Sequence, residues 1–394
     1  MRVTQTLRIA TVVVLALVSA CSMFGRGKSS SKKSDKKIDP PAELVKFDET
    51  LRVNKLWQGG VGGDKPVLRM GLGVGIDGER AFVAGFGGDV VAYGLNNGRE
   101  IWRTHTKAPI AGGTGAGNGL VAVGTNKGDV IALNQADGKQ RWRVKVAGEV
   151  LSAPAIAAKA VVVRTVDGRL RGLALDDGHE LWRVEQQTPR LTLRGTASPV
   201  LVGSVAICGF DNGKVLAVNT GDGTVVWEAA VAPPRGRTEL ERLVDIDSAV
   251  RVVGDDIYVV GFQGRVAMLA LDSGQVWWSR ELSSYRGLAV DADTLYVSTA
   301  EGEVVALARR TGAELWRNKS FHNRSLSAPA VVGASVAVAD FDGYVHWLDK
   351  ATGGMVARSR VGKRVSTAPL VTNNTLLVID DDGRLSALQP VAAK

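Results

Sequence analysis

A turn glycine followed 14 residues later by a tryptophan recurs along this 394-residue chain. The pairs are Gly88/Trp102, Gly128/Trp142, Gly168/Trp182, Gly213/Trp227, Gly264/Trp278 and Gly302/Trp316. A seventh pair, Gly343/Ala357, keeps the spacing without the indole. Successive glycines stand 40, 40, 45, 51, 38 and 41 residues apart, and the second marker drifts with the first. Extra residues therefore enter only between one unit's tryptophan and the next unit's glycine. A repeat of about 40 residues made of short strands is the mark of propeller blades.

Each unit reads as four strands. After the glycine, Val91 and Tyr93 alternate with Val90 and Ala92, as a strand requires. Asn96-Asn97-Gly98 supplies a hairpin, because Asn and Gly tolerate positive φ. The same turn returns as Ala136-Asp137-Gly138, Asp176-Asp177-Gly178 and Asp272-Ser273-Gly274. Upstream of each turn glycine lies an apolar strand such as Leu120 to Thr125. Before it comes an inner strand entered through small residues and proline, as at Ser152-Ala153-Pro154. One tryptophan per unit suits the wedge between neighbouring blades, since each indole buries about 150–250 Å². Ala357 predicts one junction filled differently, and Trp277, beside the in-register Trp278, is an extra ring.

The ends predict how the ring closes. Gly383 has no residue 14 positions beyond it, whereas Trp57 has no turn glycine 14 positions before it. The segment Leu51 to Trp57 is thus expected to complete the blade that the C-terminus leaves short. The expected fold is all-β: an eight-bladed β-propeller of four-stranded blades over residues 46–394, closed by the N-terminal strand. A seven-bladed ring with a capping last segment is the alternative.

Ahead of the propeller, residues 1–20 read as a lipoprotein signal peptide: Arg2 and Arg8 flank a short start, and Ile9 to Val18 is an apolar core too short to span a bilayer. Val18-Ser19-Ala20-Cys21 resembles a bacterial lipobox, which implies cleavage before Cys21 and lipidation of that residue, and Ser22 in place of aspartate implies sorting to the outer membrane. Residues 21–45 are polar and lysine-rich, so a flexible lipidated tether is expected there. The net charge of +9 resides mostly in this leader and tether; residues 1–39 carry eight Lys and Arg against two Asp, leaving +3 for the rest. The folded body then need not present a phosphate-binding surface, and no nucleic-acid partner is expected. Cys208 stands alone on an apolar strand and reads as a small buried hydrophobe.

No catalytic constellation emerges. His105, His179, His322 and His346 lack metal-ligand spacing, and no nucleophile elbow, Walker loop or dinucleotide fingerprint occurs. Gly71-Leu72-Gly73-Val74-Gly75 opens a strand, so it reads as close backbone packing near the ring axis and not as a phosphate loop. The stretches ALNQADGKQRW, ALDDGHELW and ALDSGQVWW are similar to the pyrroloquinoline-quinone-type repeat. That likeness raises the alternative of a quinoprotein dehydrogenase holding calcium and a quinone in its channel. Such enzymes typically carry an adjacent cysteine pair, which Cys21 and Cys208 cannot form, and no oxygen-rich calcium cage is visible outside the turns. The expectation is a protein with no enzymatic activity, no cofactor and no metal. A propeller that binds a periplasmic ligand in its channel is the other alternative.

The longest insertions point to where recognition lies. Glu228 to Asp247 follows Trp227, and Pro189 to Gly195 precedes the inner strand one blade earlier. Both lead into the first strands of consecutive blades and should lie side by side. They offer Leu191 and Leu193 as apolar anchors, with Arg190, Arg194, Asp245 and Asp247 as charged groups. A mixed surface of this kind suits protein recognition; simple strand alternation and turn formation would explain the same residues.

Taken together, the signal, lipobox, tether, eight units and closing strand resemble the BamB family of outer-membrane barrel-assembly lipoproteins. Most specific are Leu191-Thr192-Leu193-Arg194-Gly195 and Arg242-Leu243-Val244-Asp245-Ile246-Asp247, which match segments that family uses to contact BamA. The resemblance implies a non-catalytic scaffold of the Bam complex, lipid-anchored in the outer membrane and facing the periplasm. It implies docking onto the POTRA domains of BamA through Leu191, Leu193, Arg194, Asp245 and Asp247, and nascent outer-membrane proteins as clients.

Overall fold

The computed structural model describes residues 39–62, 72–193, 195–234 and 236–392. Among them, thirty-two strands, β1 to β32 in chain order, pair antiparallel into eight four-stranded sheets arranged as the blades of a propeller. Seven sheets are runs of consecutive strands. Blade one, for example, is β2 (Gly75–Asp77), β3 (Arg80–Ala84), β4 (Asp89–Gly94) and β5 (Glu100–His105). The eighth is split between the chain ends, in the order β1 (Leu51–Gly60), β32 (Arg384–Ala392), β31 (Thr375–Ile379), β30 (Leu370–Thr372). Leu51 pairs with Ala392 and Gly60 with Arg384, so the opening strand closes the ring as its unpaired Trp57 implied.

Each blade is an antiparallel meander. Its second-to-third turn and its connection to the next blade therefore open on one face, and its other two turns on the opposite face. The apolar interior lies between blades: Ile207, Val215 and Trp227 of blade four pack with Ile257, Val259 and Leu269 of blade five. Cys208 is buried between blades three and four and free, with its thiol pushed up to about 12 by burial, so it packs as a hydrophobe.

The tryptophans act as pegs between blades. Those at 57, 102, 142, 182, 227, 278 and 316 each donate the indole N–H to a backbone carbonyl of the following blade, at 2.7–3.1 Å. Each ring also covers a hairpin glycine of that blade, from Gly98 under Trp57 to Gly353 under Trp316. A Cβ on any of these glycines would lie 2.5–2.8 Å from the ring, and all of them have positive φ. Glycine is demanded twice over, by contact and by backbone. The residue just before each tryptophan is skipped in the pairing, forming a β-bulge. Trp277 occupies such a bulge, which explains why the extra ring is 56% exposed.

Blade seven transposes the pattern. In the other blades the peg faces a small or flexible third-strand residue, such as Ala92 opposite Trp102 or Met268 opposite Trp278. Here Trp347 on β28 (Tyr344–Asp349) faces Ala357 on β29 (Met355–Arg360). The next blade is the split one, in which β32 and β1 are not joined by a hairpin, so among the described residues no hairpin glycine seat is present there. Trp347 fills the interior from the neighbouring strand and is fully buried, packed with Leu376, Val378 and Leu388.

Residues 42–50 run along the outer edge of blade seven before β1 begins. The Ala42 amide donates to the His322 carbonyl, Arg324 and Arg358 donate to the carbonyls of Ala42 and Val45, and the Thr50 amide donates to Val356. The last residues of the expected tether are therefore held against the propeller. The expected signal peptide, Cys21 and most of the tether lie outside the described residues.

Candidate docking face

Blades three and four are joined by residues 186–199, between β13 (Glu180–Glu185) and β14 (Val200–Val202). Blades four and five are joined by residues 231–250, between β17 (Val225–Ala230) and β18 (Arg251–Val253). Both connections open on the same face of adjacent blades, and they touch. The Leu193 amide donates to the Asp245 carboxylate. Gly195 lies so close to Asp247 that a Cβ would come within 2.6 Å of its carboxyl carbon. Only glycine fits that approach without displacing the carboxylate.

Backbone contacts fix the second segment from below. Ile246 is fully buried against Gly209, and its amide donates to the Phe210 carbonyl at 3.4 Å. The Phe262 amide donates to the Asp245 carbonyl at 2.8 Å. Further out, the amides of Arg237 and Thr238 donate to the Glu241 carboxylate, giving the insertion its own closed turn. With Ile246 buried, strand-like alternation aims Asp245 and Asp247 the other way.

The candidate residues have distinct placements. Leu191 and Leu193 are 41% and 39% exposed, beside the exposed Arg190. Asp245 is only 1% exposed and ties the Leu193 segment down, so it offers no surface charge in this arrangement. Asp247 faces the central channel, a cavity of about 320 Å³ also lined by Ser152, Thr196, Arg251 and Arg286. Arg194 lies outside the described residues. Gly73 and Gly113 approach each other closely beside this channel, as the glycine-rich stretch suggested. Burial pushes the Asp245 carboxyl up to about 6. It pushes Asp247 up to about 8, reinforced by the neighbouring Asp245 and Asp211 carboxylates. Among the described residues, no group of three or more His, Cys, Asp or Glu could hold a metal ion.

Sequence reasoning missed the support beneath this face. Arg164 on β11 (Ala160–Thr165) is fully buried, its Nη2 lies 3.0 Å from Asp211 Oδ1, and its guanidinium stacks 4.4 Å from the Phe210 ring centroid. Burial raises the Asp211 carboxyl, and Arg164 opposes that rise. Aligning the repeats strand by strand, and not only at glycine and tryptophan, would have exposed this arginine.

A family model described as outer membrane protein assembly factor BamB matches residues 86–318 and 300–393. The chain is 48% identical to the outer membrane protein assembly factor BamB of Pseudomonas aeruginosa, covering 96% of this chain and 97% of the relative. It is 39% identical to that of Kangiella koreensis, covering 98% and 96%. Among solved structures, BamB from Moraxella catarrhalis superposes with a TM-score of 0.79 at 29% identity, covering 86% of this chain and all of the other. A quinohemoprotein alcohol dehydrogenase from Comamonas testosteroni shares the fold alone, with a TM-score of 0.66 at 12% identity over 87% of this chain and 77% of the enzyme.

Proposed function

The chain belongs to the BamB family of outer-membrane protein assembly factors, and on that premise we propose that it is a non-catalytic scaffold of the Bam complex that docks onto the POTRA domains of BamA through the face between blades three and five. The observation that carries this reading is the meeting of the two insertions. Leu191 and Leu193 project from a segment whose backbone is fastened to Asp245. Exposed apolar side chains on a braced backbone suit binding, since little rotational or loop freedom remains to be lost on contact.

A lipid on Cys21 would confine the propeller to the periplasmic surface of the outer membrane, raising its effective concentration near a membrane-embedded partner. The docked propeller would then fix the orientation of a mobile partner domain while nascent outer-membrane proteins are assembled. The test is photo-crosslinking in intact cells from a residue replacing Leu193. Recovery of BamA POTRA domains supports the reading, and consistent recovery of an unrelated protein sinks it.

A further inference from the structure

The buried Arg164 departs from the blade repeat at one particular register. The second-strand residues that occupy its place in the other seven blades are Ala84, Gly124, Gly209, Val260, Ser298, Ala339 and Ile379. All are small or apolar, as an interior between packed sheets requires. Blade three alone places a guanidinium there, in the blade that leads into the Leu191–Gly195 segment. Burying a cation without compensation is costly, and its surroundings show what compensates it. Besides Asp211, it donates to the Thr165 carbonyl and stacks on Phe210.

Those contacts lead to the docking face in two short steps. Phe210 and Asp211 are adjacent in the turn of blade four, and the Phe210 carbonyl accepts from Ile246. Ile246 sits between Asp245 and Asp247, and Asp245 holds the Leu193 amide. Arg164 is also the positive charge whose field reaches Asp211, Asp245 and Asp247. We propose that Arg164 is a positioning residue of the docking face: from blade three, through Asp211 and Phe210, it sets the height and orientation of both insertions without touching the partner. This rests on the docking reading above, while its structural half stands on intramolecular contacts alone.

The test uses full-length protein carrying Arg164→Met, which keeps the length and bulk of the side chain but not its charge. Two readouts separate the steps. Amide hydrogen exchange on the purified protein should show Leu193 exchanging at least tenfold faster, with the strands of blades one and seven unchanged. Co-purification with the Bam complex, measured well below the melting temperature of the variant, should fall at least tenfold, and Arg164→Lys should restore part of both. If Arg164→Met fails to fold, Asp211→Asn removes the counter-charge while keeping an oxygen that can accept from Arg164, and is read in the same way. Unchanged exchange at Leu193 in a folded variant overturns the proposal, as does faster exchange with undiminished association. The docking reading fails separately, if Leu193→Glu leaves association intact while the exchange result holds.

Discussion

Trp347 and Ala357 face each other across two strands of blade seven, the reverse of the small-residue-opposite-tryptophan pairing found in blade one. The transposition coincides with the one junction where the following blade has chain ends in place of a hairpin. An indole at position 357 would lack the hairpin glycine that each of the other peg tryptophans covers. The buried indole N–H of Trp347 itself has no acceptor among the described residues, so its contribution is packing. Trp347→Ala should cost about 3–5 kcal/mol in urea unfolding. Adding Ala357→Trp should recover less than half of that loss, and full recovery would show that the missing seat does not matter.

The glycine seats under the pegs give a second prediction. Gly223 has positive φ, and a Cβ there would lie 2.8 Å from Trp182. Gly203 also has positive φ but has open space around it. Gly223→Ala should destabilise by about 2–4 kcal/mol, combining backbone strain with overpacking, whereas Gly203→Ala should cost only about 1 kcal/mol. Equal denaturation midpoints for the two variants would remove contact with the ring as a cause.

Leu191 and Leu193 are exposed, so truncating both should barely alter stability, by about 0.5 kcal/mol or less. If they are anchors of the docking face, the double change Leu191→Ala/Leu193→Ala should weaken association with the Bam complex by about 2–3 kcal/mol, or roughly 30- to 150-fold. Quantitative co-purification against increasing detergent and salt would measure this.

The acidic cluster under that face predicts a pH dependence. Asp247 rises from the ordinary 3.8 to about 8 and Asp245 to about 6, driven first by burial. Between the unfolded and folded values, the folded protein holds protons that the unfolded chain has released. Stability from this source is full below about pH 4 and declines as pH rises toward 8. Asp211 and Arg164 face the same pair, and the attraction of Arg164 for the ionised forms moderates the effect. The melting temperature should therefore fall between pH 6 and pH 8.5, and Asp247→Asn should flatten that slope. An equal slope in the variant would assign the dependence to other groups.

Much of this architecture could be read from the chain because its markers are local and repeated. A turn glycine and a peg tryptophan 14 residues apart define two strands of six blades, and the unpaired Trp57 and Gly383 identify the closing blade. Trp347 escaped notice because its role depends on what the next blade lacks, a relation that spacing does not encode. Leu191 and Leu193 stood out as apolar residues within an insertion. The burial of Asp245 did not, since an aspartate in a turn-rich segment looks the same in sequence whether it faces solvent or a backbone amide. Arg164 was hidden within an apolar strand, where its meaning appears only when eight blades are aligned.

The pairing of β1 with β32 also bears on how the protein comes to be folded. Among the described strands, the one made first has as its hydrogen-bonding partner the one made last, so one blade cannot exist until β32 has been made. Nearly the whole chain is the loop that this contact closes, which places ring closure among the slow, non-local steps of folding. Until then both strands present unpaired edges open to mispairing.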